Sequence, residues 1–224
     1  MALKTSILIT FCTLVSSTAL YALDWNHPKL QKFLALYAVE EIKNVETVEY
    51  RFRVQIKDKS VNRKWTWWPK ADKIKMEQEG KETVEYSRQS QLEQNKKTDS
   101  AFINDNYWLL FPWRIYVDSS VTLSWANKEE SSLLIQYPYE GGYTPGDAYT
   151  LHFDKNMLIT SWDFDAKGDG KIDRSMSWEG YQKLGPLLIS TQHKAEDFHL
   201  WFEDLRLKLS GDSDWKTPTP YTAN

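Results

Sequence analysis

The stretch VEYRFRVQIK, Val48 to Lys57, constrains the fold more than any other part of the chain. Val48, Tyr50, Phe52, Val54 and Ile56 alternate with Glu49, Arg51, Arg53, Gln55 and Lys57. Successive side chains of a strand point to opposite faces, so this run sets one apolar face against an interior and one charged face in water. Sheets that are wet on one side are characteristically antiparallel, because the crossover helices of a parallel sheet cover both faces. The apolar face still needs a second layer.

One source of that layer lies just upstream. Pro28 follows Asn26 and His27, and LQKFLALYAVEEIKN places Leu30, Phe33, Leu34 and Tyr37 at helical spacing, which predicts an amphipathic helix opened by proline. Downstream, RKWTWWP, then ADKIKMEQEG with Ile74 and Met76 on one face, then ETVEYSRQS read as further strands. LEQNKKTDSAFIND is polar, with a short helix expected around Ser100 to Ile103. The block NDNYWLLFPWRIYVD is dense in apolar residues, but Pro112 lacks a backbone N–H, so the expectation is an element that bends or dips over the interior rather than a central strand. VTLSWA and SLLIQYP, then AYTLHF and MLITSWDF, read as paired strands, with YEGGYTPGDA as a loop between the pairs. PLLISTQHK and DFHLWFEDLRLKLS complete the sheet before a tail too polar to bury much.

The stretch DAKGDGKID admits two readings. Asp165, Asp169 and Asp173 fall at ligand positions of an EF-hand-like calcium loop, but Lys167 stands where an oxygen is needed and Met176 where a bidentate Glu would close the cage. The flanks are rich in β-branched and aromatic residues, and Gly168 and Gly170 supply the positive φ of a hairpin connection. A hairpin tip is therefore expected, with no metal and no cofactor.

Lys4, an apolar run from Ile7 to Val15 and the small-residue segment SSTALYA have the pattern of a secretory signal peptide over residues 1–22, cleaved after Ala19 or Ala22. Cys12 lies inside that run and is the one cysteine of the sequence, so a processed chain has no disulfide and no thiolate, and its stability comes from packing. Residues 23–224 have the length of one domain and contain no membrane-length apolar segment, which predicts a soluble periplasmic protein. A formal net charge of -3 gives no basis for nucleic-acid binding.

Local catalytic signatures are missing from the sequence. His193 and His199, near Glu196 and Asp197, lack the helical spacing of zinc hydrolases and are read as solvated strand and loop residues, and His152 as the polar face of a strand. No GxSxG elbow links a serine to a base, and no glycine-rich phosphate loop appears. The distinctive constellation is aromatic. Trp65, Trp67, Tyr107, Trp108, Phe111 and Trp162 are the candidate lining of an apolar ligand cavity, against the plainer reading that they are core. Trp162 and Trp178 flank the glycine-rich hairpin and can meet across it.

The order of these features resembles the superfamily of periplasmic lipoprotein carriers, the LolA and LolB-like proteins. The resemblance rests on the leader, the amphipathic helix, the alternating strand, KWTWWPKADKI, NDNYWLLFPWR, AYTLHFDKNMLITSWDF and DFHLWFEDLRLKL. It implies an α+β fold in which a strongly curved antiparallel sheet forms an incomplete β-barrel covered by helices. It also implies a binding or transport protein rather than an enzyme, whose partners are a lipid or lipid-modified protein and a membrane-bound donor or acceptor. The carriers' functional arginine does not align with Arg51, Arg53 or Arg63, so no ligand contact is carried over. The alternatives are an envelope protein that uses the same fold for protein contact, and a secreted hydrolase whose Ser, His and Asp meet only in the folded state.

Overall fold

In the computed structural model, which describes residues 23–222, the alternating stretch is the centre of β1 (Val45–Ile56), and Val48, Tyr50, Phe52 and Val54 are all buried. The leader assigned to residues 1–22 lies outside the described residues. Helix α1 (Pro28–Tyr37) precedes β1, with Pro28 in its first turn and Leu30, Phe33, Leu34 and Tyr37 facing inward. It stops where Ala38 turns left-handed, and a 3-10 segment (Val39–Asn44) leads into the strand.

A tight turn at Lys57 and Asp58 returns the chain as β2 (Lys59–Trp68), followed by β3 (Lys73–Glu77) and β4 (Val84–Ser87). The chain then enters α2 (Arg88–Val117), runs through β5 (Thr122–Trp125), β6 (Ser132–Gln136), β7 (Ala148–Phe153), β8 (Ile159–Asp165) and β9 (Arg174–Ser177), and continues through the short strands β10 (Gln182–Leu184) and β11 (Leu187–Ile189). It closes with β12 (Gln192–Ala195), β13 (Phe198–Leu209) and β14 (Pro218–Pro220).

These strands form a six-stranded antiparallel sheet, β12-β13-β1-β2-β3-β4, and a five-stranded one, β5-β6-β7-β8-β9, with β11-β10-β14 as a small third sheet. The two large sheets meet edge to edge. Just past β9, Glu179 and Gln192 exchange both backbone hydrogen bonds, and Lys194 N–H donates to Ser177 Oγ. A bulge at Asp204, whose φ is 52°, shifts the register of β13 against β1 and bends the long strand. The sheets do not close on themselves, so the architecture is an α+β incomplete barrel, the fold that the family resemblance implies.

The outer face of β1 carries the charges. Arg51, Arg53 and Glu49 pair with Asp204, Glu203 and Arg206 of β13. Exposed pairs of this kind contribute about 0–1 kcal/mol each, so the apolar face supplies the stability. Helix α2 covers that face. Phe102 packs on Trp65 and Trp67 of the first sheet, while Phe111 meets Trp162 and Tyr149 of the second. Helix α1 lies beside it, with Phe33 against Phe153 and Tyr37 against Trp113.

The structure corrects the sequence reading of α2. A short helix at Ser100 to Ile103 followed by a bent segment was expected, and the whole of Arg88–Val117 is helical, kinked at Leu110 two residues before Pro112. The kink has the expected cause, since Pro112 removes one intrahelical donor and displaces the carbonyl of Trp108. The polar composition of its first half hid the helix. Asp99, Asp105 and Asn106 are buried on the face where apolar periodicity would look for hydrophobic residues. The tail, read as too polar to bury much, adds β14 to the third sheet and stacks Trp215 on Arg206 at 4.4 Å.

Candidate functional site

Between α2 and the second sheet lies a cavity of about 410 Å³, near the lower end of the ~300–1,000 Å³ range of small-molecule pockets. Ile103, Tyr107 and Trp108 line it from α2, and Tyr149, Trp162, Phe164 and Met176 from the facing strands. The strand residues alternate along β8, and Met176 is the cross-strand partner of Trp162, so the hairpin β8–β9 presents one continuous apolar wall. Ser100, Asn104, Tyr143, Thr144, Asp173 and Arg174 complete the lining with polar side chains.

The aromatic rings brace one another. Trp108 meets Trp162 edge-on at 4.4 Å, and Trp162 also touches Phe111, Tyr149 and Trp178 at 5.0, 5.0 and 5.6 Å. Of the six aromatic residues assigned to a cavity from sequence, Tyr107, Trp108 and Trp162 line this one. Trp65 and Trp67 instead pack under the first half of α2, and Phe111 is wholly buried behind Trp162. Strand periodicity correctly places Trp65 and Trp67 on one face, but that face belongs to the other sheet. The residues missed from sequence are Ile103, Tyr149, Phe164 and Met176; the alternation of AYTLHF and MLITSWDF was the available signal.

Buried polar groups hold α2 in place over the sheets. Asp105 is fully buried, and its carboxylate accepts from Arg63 Nε and Nη2 at 2.7 and 2.8 Å, from Trp65 Nε1 at 2.8 Å and from Asn104 Nδ2 at 3.1 Å. Burial pushes its pKa above the usual carboxylate range, against the opposing pull of Arg63. Asp99 is likewise enclosed and accepts from Tyr86, Arg88 and Tyr143, the last of which ties the loop between β6 and β7 to the helix. That loop forms one rim of the cavity through Tyr143 and Thr144.

The remaining sequence candidates find structural roles. The hairpin tip is a turn held by its own carboxylates: Asp165 accepts from the amides of Asp169 and Gly170, and Asp173 from that of Ala166. Gly168 has a φ of 62°, and a Cβ there would lie 2.7 Å from Gly146 O, so its turn excludes other residues. No group of three or more metal-ligating side chains converges among the described residues. Ser132, His152 and Asp163 do meet across β6, β7 and β8, with Ser132 Oγ 2.9 Å from His152 Nδ1 and His152 Nε2 2.7 Å from Asp163. The imidazole is reversed relative to a serine-hydrolase triad, the serine is buried and the row lies away from the cavity, so it acts as a cross-strand hydrogen-bond ladder.

His193 corrects the expectation of a solvated residue. It is fully buried among Trp108, Trp178 and Phe202, beside the backbone carbonyls of Ser177 and Trp108. Burial lowers its pKa to about 3, although both carbonyls and Glu179 favour the charged ring; nearby His199 adds a small push the same way as burial. A folded-state pKa below the unfolded value means that its stabilisation is complete above the unfolded pKa and is lost as pH falls from about 6.5 towards 3. Its share of stability is expected to be about 2 kcal/mol smaller at pH 5 than at pH 7, from ~1.4 kcal/mol per pH unit. Urea unfolding at the two pH values measures this, with His193→Gln removing that part of the slope; an unchanged slope would refute the assignment.

Fold and cavity together define a class: an unclosed antiparallel half-barrel with an aromatic pocket beneath a long helix. Three solved structures are similar to the chain. A DUF1329 family protein from Desulfovibrio piger is 12% identical, with a TM-score of 0.43 over 84% of this chain and 95% of that one. A LolA superfamily protein from Nitrosomonas europaea is 9% identical, with a TM-score of 0.45 over 80% and 93%. An outer membrane lipoprotein-sorting protein domain from Vibrio parahaemolyticus is 8% identical, with a TM-score of 0.33 over 79% and 93%. No family model and no curated protein matches the sequence.

Proposed function

We propose that this protein is a periplasmic carrier that buries an acyl chain of a lipid or lipid-modified protein in the cavity beneath α2, without chemical change to the ligand. The observation that carries this reading is the lining itself: seven apolar or aromatic side chains from one helix and one sheet converge on about 410 Å³ of space in a barrel left unclosed. Transfer of a hydrocarbon chain from water into such a space is favourable by about 0.8 kcal/mol per methylene, so affinity grows with chain length until the cavity is full. The volume suits one chain at a time. The leader pattern in residues 1–22 supports export, and no helix among the described residues is long and apolar enough to cross a membrane. A membrane-bound donor or acceptor protein would complete the transfer.

Native mass spectrometry of protein purified from its own cell envelope, followed by organic extraction, tests the reading. One acyl-bearing molecule per chain is expected. Protein that is repeatedly ligand-free, and that also fails to take up added alkyl probes, would overturn it.

A further inference from the structure

Three half-buried arginines lie along the layer between α2 and the six-stranded sheet, and they are treated differently. Arg63 is paired with Asp105 and Arg88 with Asp99, each at 3 Å or less. Arg114, in the last turn of α2, has no carboxylate within 4.0 Å among the described residues. Its Nε and Nη2 are sealed from solvent and meet no acceptor. Its guanidinium lies against two ring faces, Trp67 at 5.9 Å and Tyr107 at 5.4 Å. A buried cation without a counter-charge is costly, and native interiors ordinarily pair it.

The surroundings repeat the pattern. The Tyr50 hydroxyl and both polar atoms of the Asn106 side chain are also buried and meet no partner beyond each other, and Tyr50 lies within electrostatic reach of Arg114. Tyr50, Asn106 and Arg114 thus bring N–H and O–H donors together with few acceptors. The chemical complement of such a set is an anionic oxygen, which takes several donors at once and neutralises the guanidinium. Tyr107 connects this cluster to the cavity. Its ring lines the cavity, its hydroxyl accepts from Tyr137, and Arg114 lies over the same ring.

We infer that Arg114, with Tyr50 and Asn106, receives the anionic head of the ligand whose chain occupies the cavity, a carboxylate or a phosphate monoester on a single alkyl chain. This rests on the acyl-binding reading above and specifies its ligand class. The head reaches the donors past Tyr107, so entry displaces that ring and the Tyr107–Tyr137 hydrogen bond. A bound anion pairs the guanidinium and so offsets the cost of its burial.

The test compares dodecanoate, dodecyl phosphate and dodecanol at neutral pH by isothermal titration calorimetry. The unmodified protein is expected to bind at least one of the two anions about tenfold or more tightly than the alcohol, from the strength of charge-assisted hydrogen bonds. The tighter anion distinguishes a carboxylate from a phosphate head. Arg114→Met is expected to bring that anion down to the affinity of the alcohol and leave the alcohol unchanged. The same variant is expected to melt about 2–4 °C higher without ligand, because an uncompensated buried charge has been removed. Arg114→Gln provides a second uncharged side chain with the same expected loss of preference.

Equal affinity for the alcohol and both anions in the unmodified protein would overturn the inference and assign the cluster to ordered water. A preference that survives in both variants would overturn it in favour of another cation. Dodecanol binding without any anion preference rejects the head-group site alone, whereas failure of all three probes to bind rejects the acyl cavity with it.

Discussion

Replacing Trp108 with Ala is expected to weaken binding of a single-chain alkyl probe about tenfold. Trp108 is partly buried, lines the cavity and meets Trp162 at 4.4 Å. Loss of about 50 Å² of apolar contact at ~25 cal/mol per Å² is worth about 1.3 kcal/mol, or close to a factor of ten in affinity. Trp162→Ala would confuse the measurement, because Trp162 is a buried core residue and its truncation is expected to cost about 3–5 kcal/mol of stability. Trp65→Phe is the informative control. Trp65 donates to Asp105 away from the cavity, so its change should lower stability and leave probe affinity alone. Calorimetry with dodecanol on the three proteins decides the matter; a Trp108→Ala affinity within twofold of the unmodified protein would remove the cavity from the functional account.

Asp105→Ala is expected to destabilise the protein by about 3–5 kcal/mol, the range for removing one partner of a buried ion pair. The change strands the Arg63 guanidinium and the Trp65 indole N–H, both of which donate to that carboxylate. It also releases Asn104, which donates to Asp105 and lines the cavity one residue away, so the ligand site should loosen with the fold. Burial itself disfavours the ionised carboxylate, which separates the effect of breaking the pair from the net worth of having it. Asp105→Leu combined with Arg63→Met is therefore expected to recover most of the loss, since neither charge is left alone. Equilibrium unfolding in urea measures both variants. A loss below about 1 kcal/mol for Asp105→Ala would mean that α2 is held by its apolar contacts alone.

How much of this was legible in the chain depended on how regular each element is. In β1 every second residue is apolar and its outer residues are charged, so period-2 reading recovers its facing without any knowledge of partners. Helix α1 has an unmixed apolar stripe and proline in its first turn, and it was equally legible. The first half of α2 broke the pattern because Asp99, Asp105 and Asn106 lie inward, stabilised or left waiting by groups that are distant in sequence. No periodicity rule anticipates a buried carboxylate whose partners lie forty residues upstream.

The cavity shows the same division. Tyr107, Trp108 and Trp162 were singled out for their aromatic character and do line it, while Trp65, Trp67 and Phe111, equally aromatic, are packed elsewhere. Composition identifies residues that can line an apolar space, but only the crossing of α2 over two sheets decides which of them border it. Arg114 makes the point most sharply, because in the sequence it is one arginine among several, and its lack of a partner exists only in the folded chain.

The sequence by itself determined the one-sided antiparallel strand, the proline-led helix, the hairpin tip at Gly168 and Gly170, and the supply of aromatic side chains, because each of these follows from local sterics and side-chain alternation. The tertiary structure alone decided the length of α2, the edge-to-edge joining of the two sheets, the division of the tryptophans between core and cavity, and the fates of Asp105, His193 and Arg114, because burial and pairing are set by chain segments that meet only after folding.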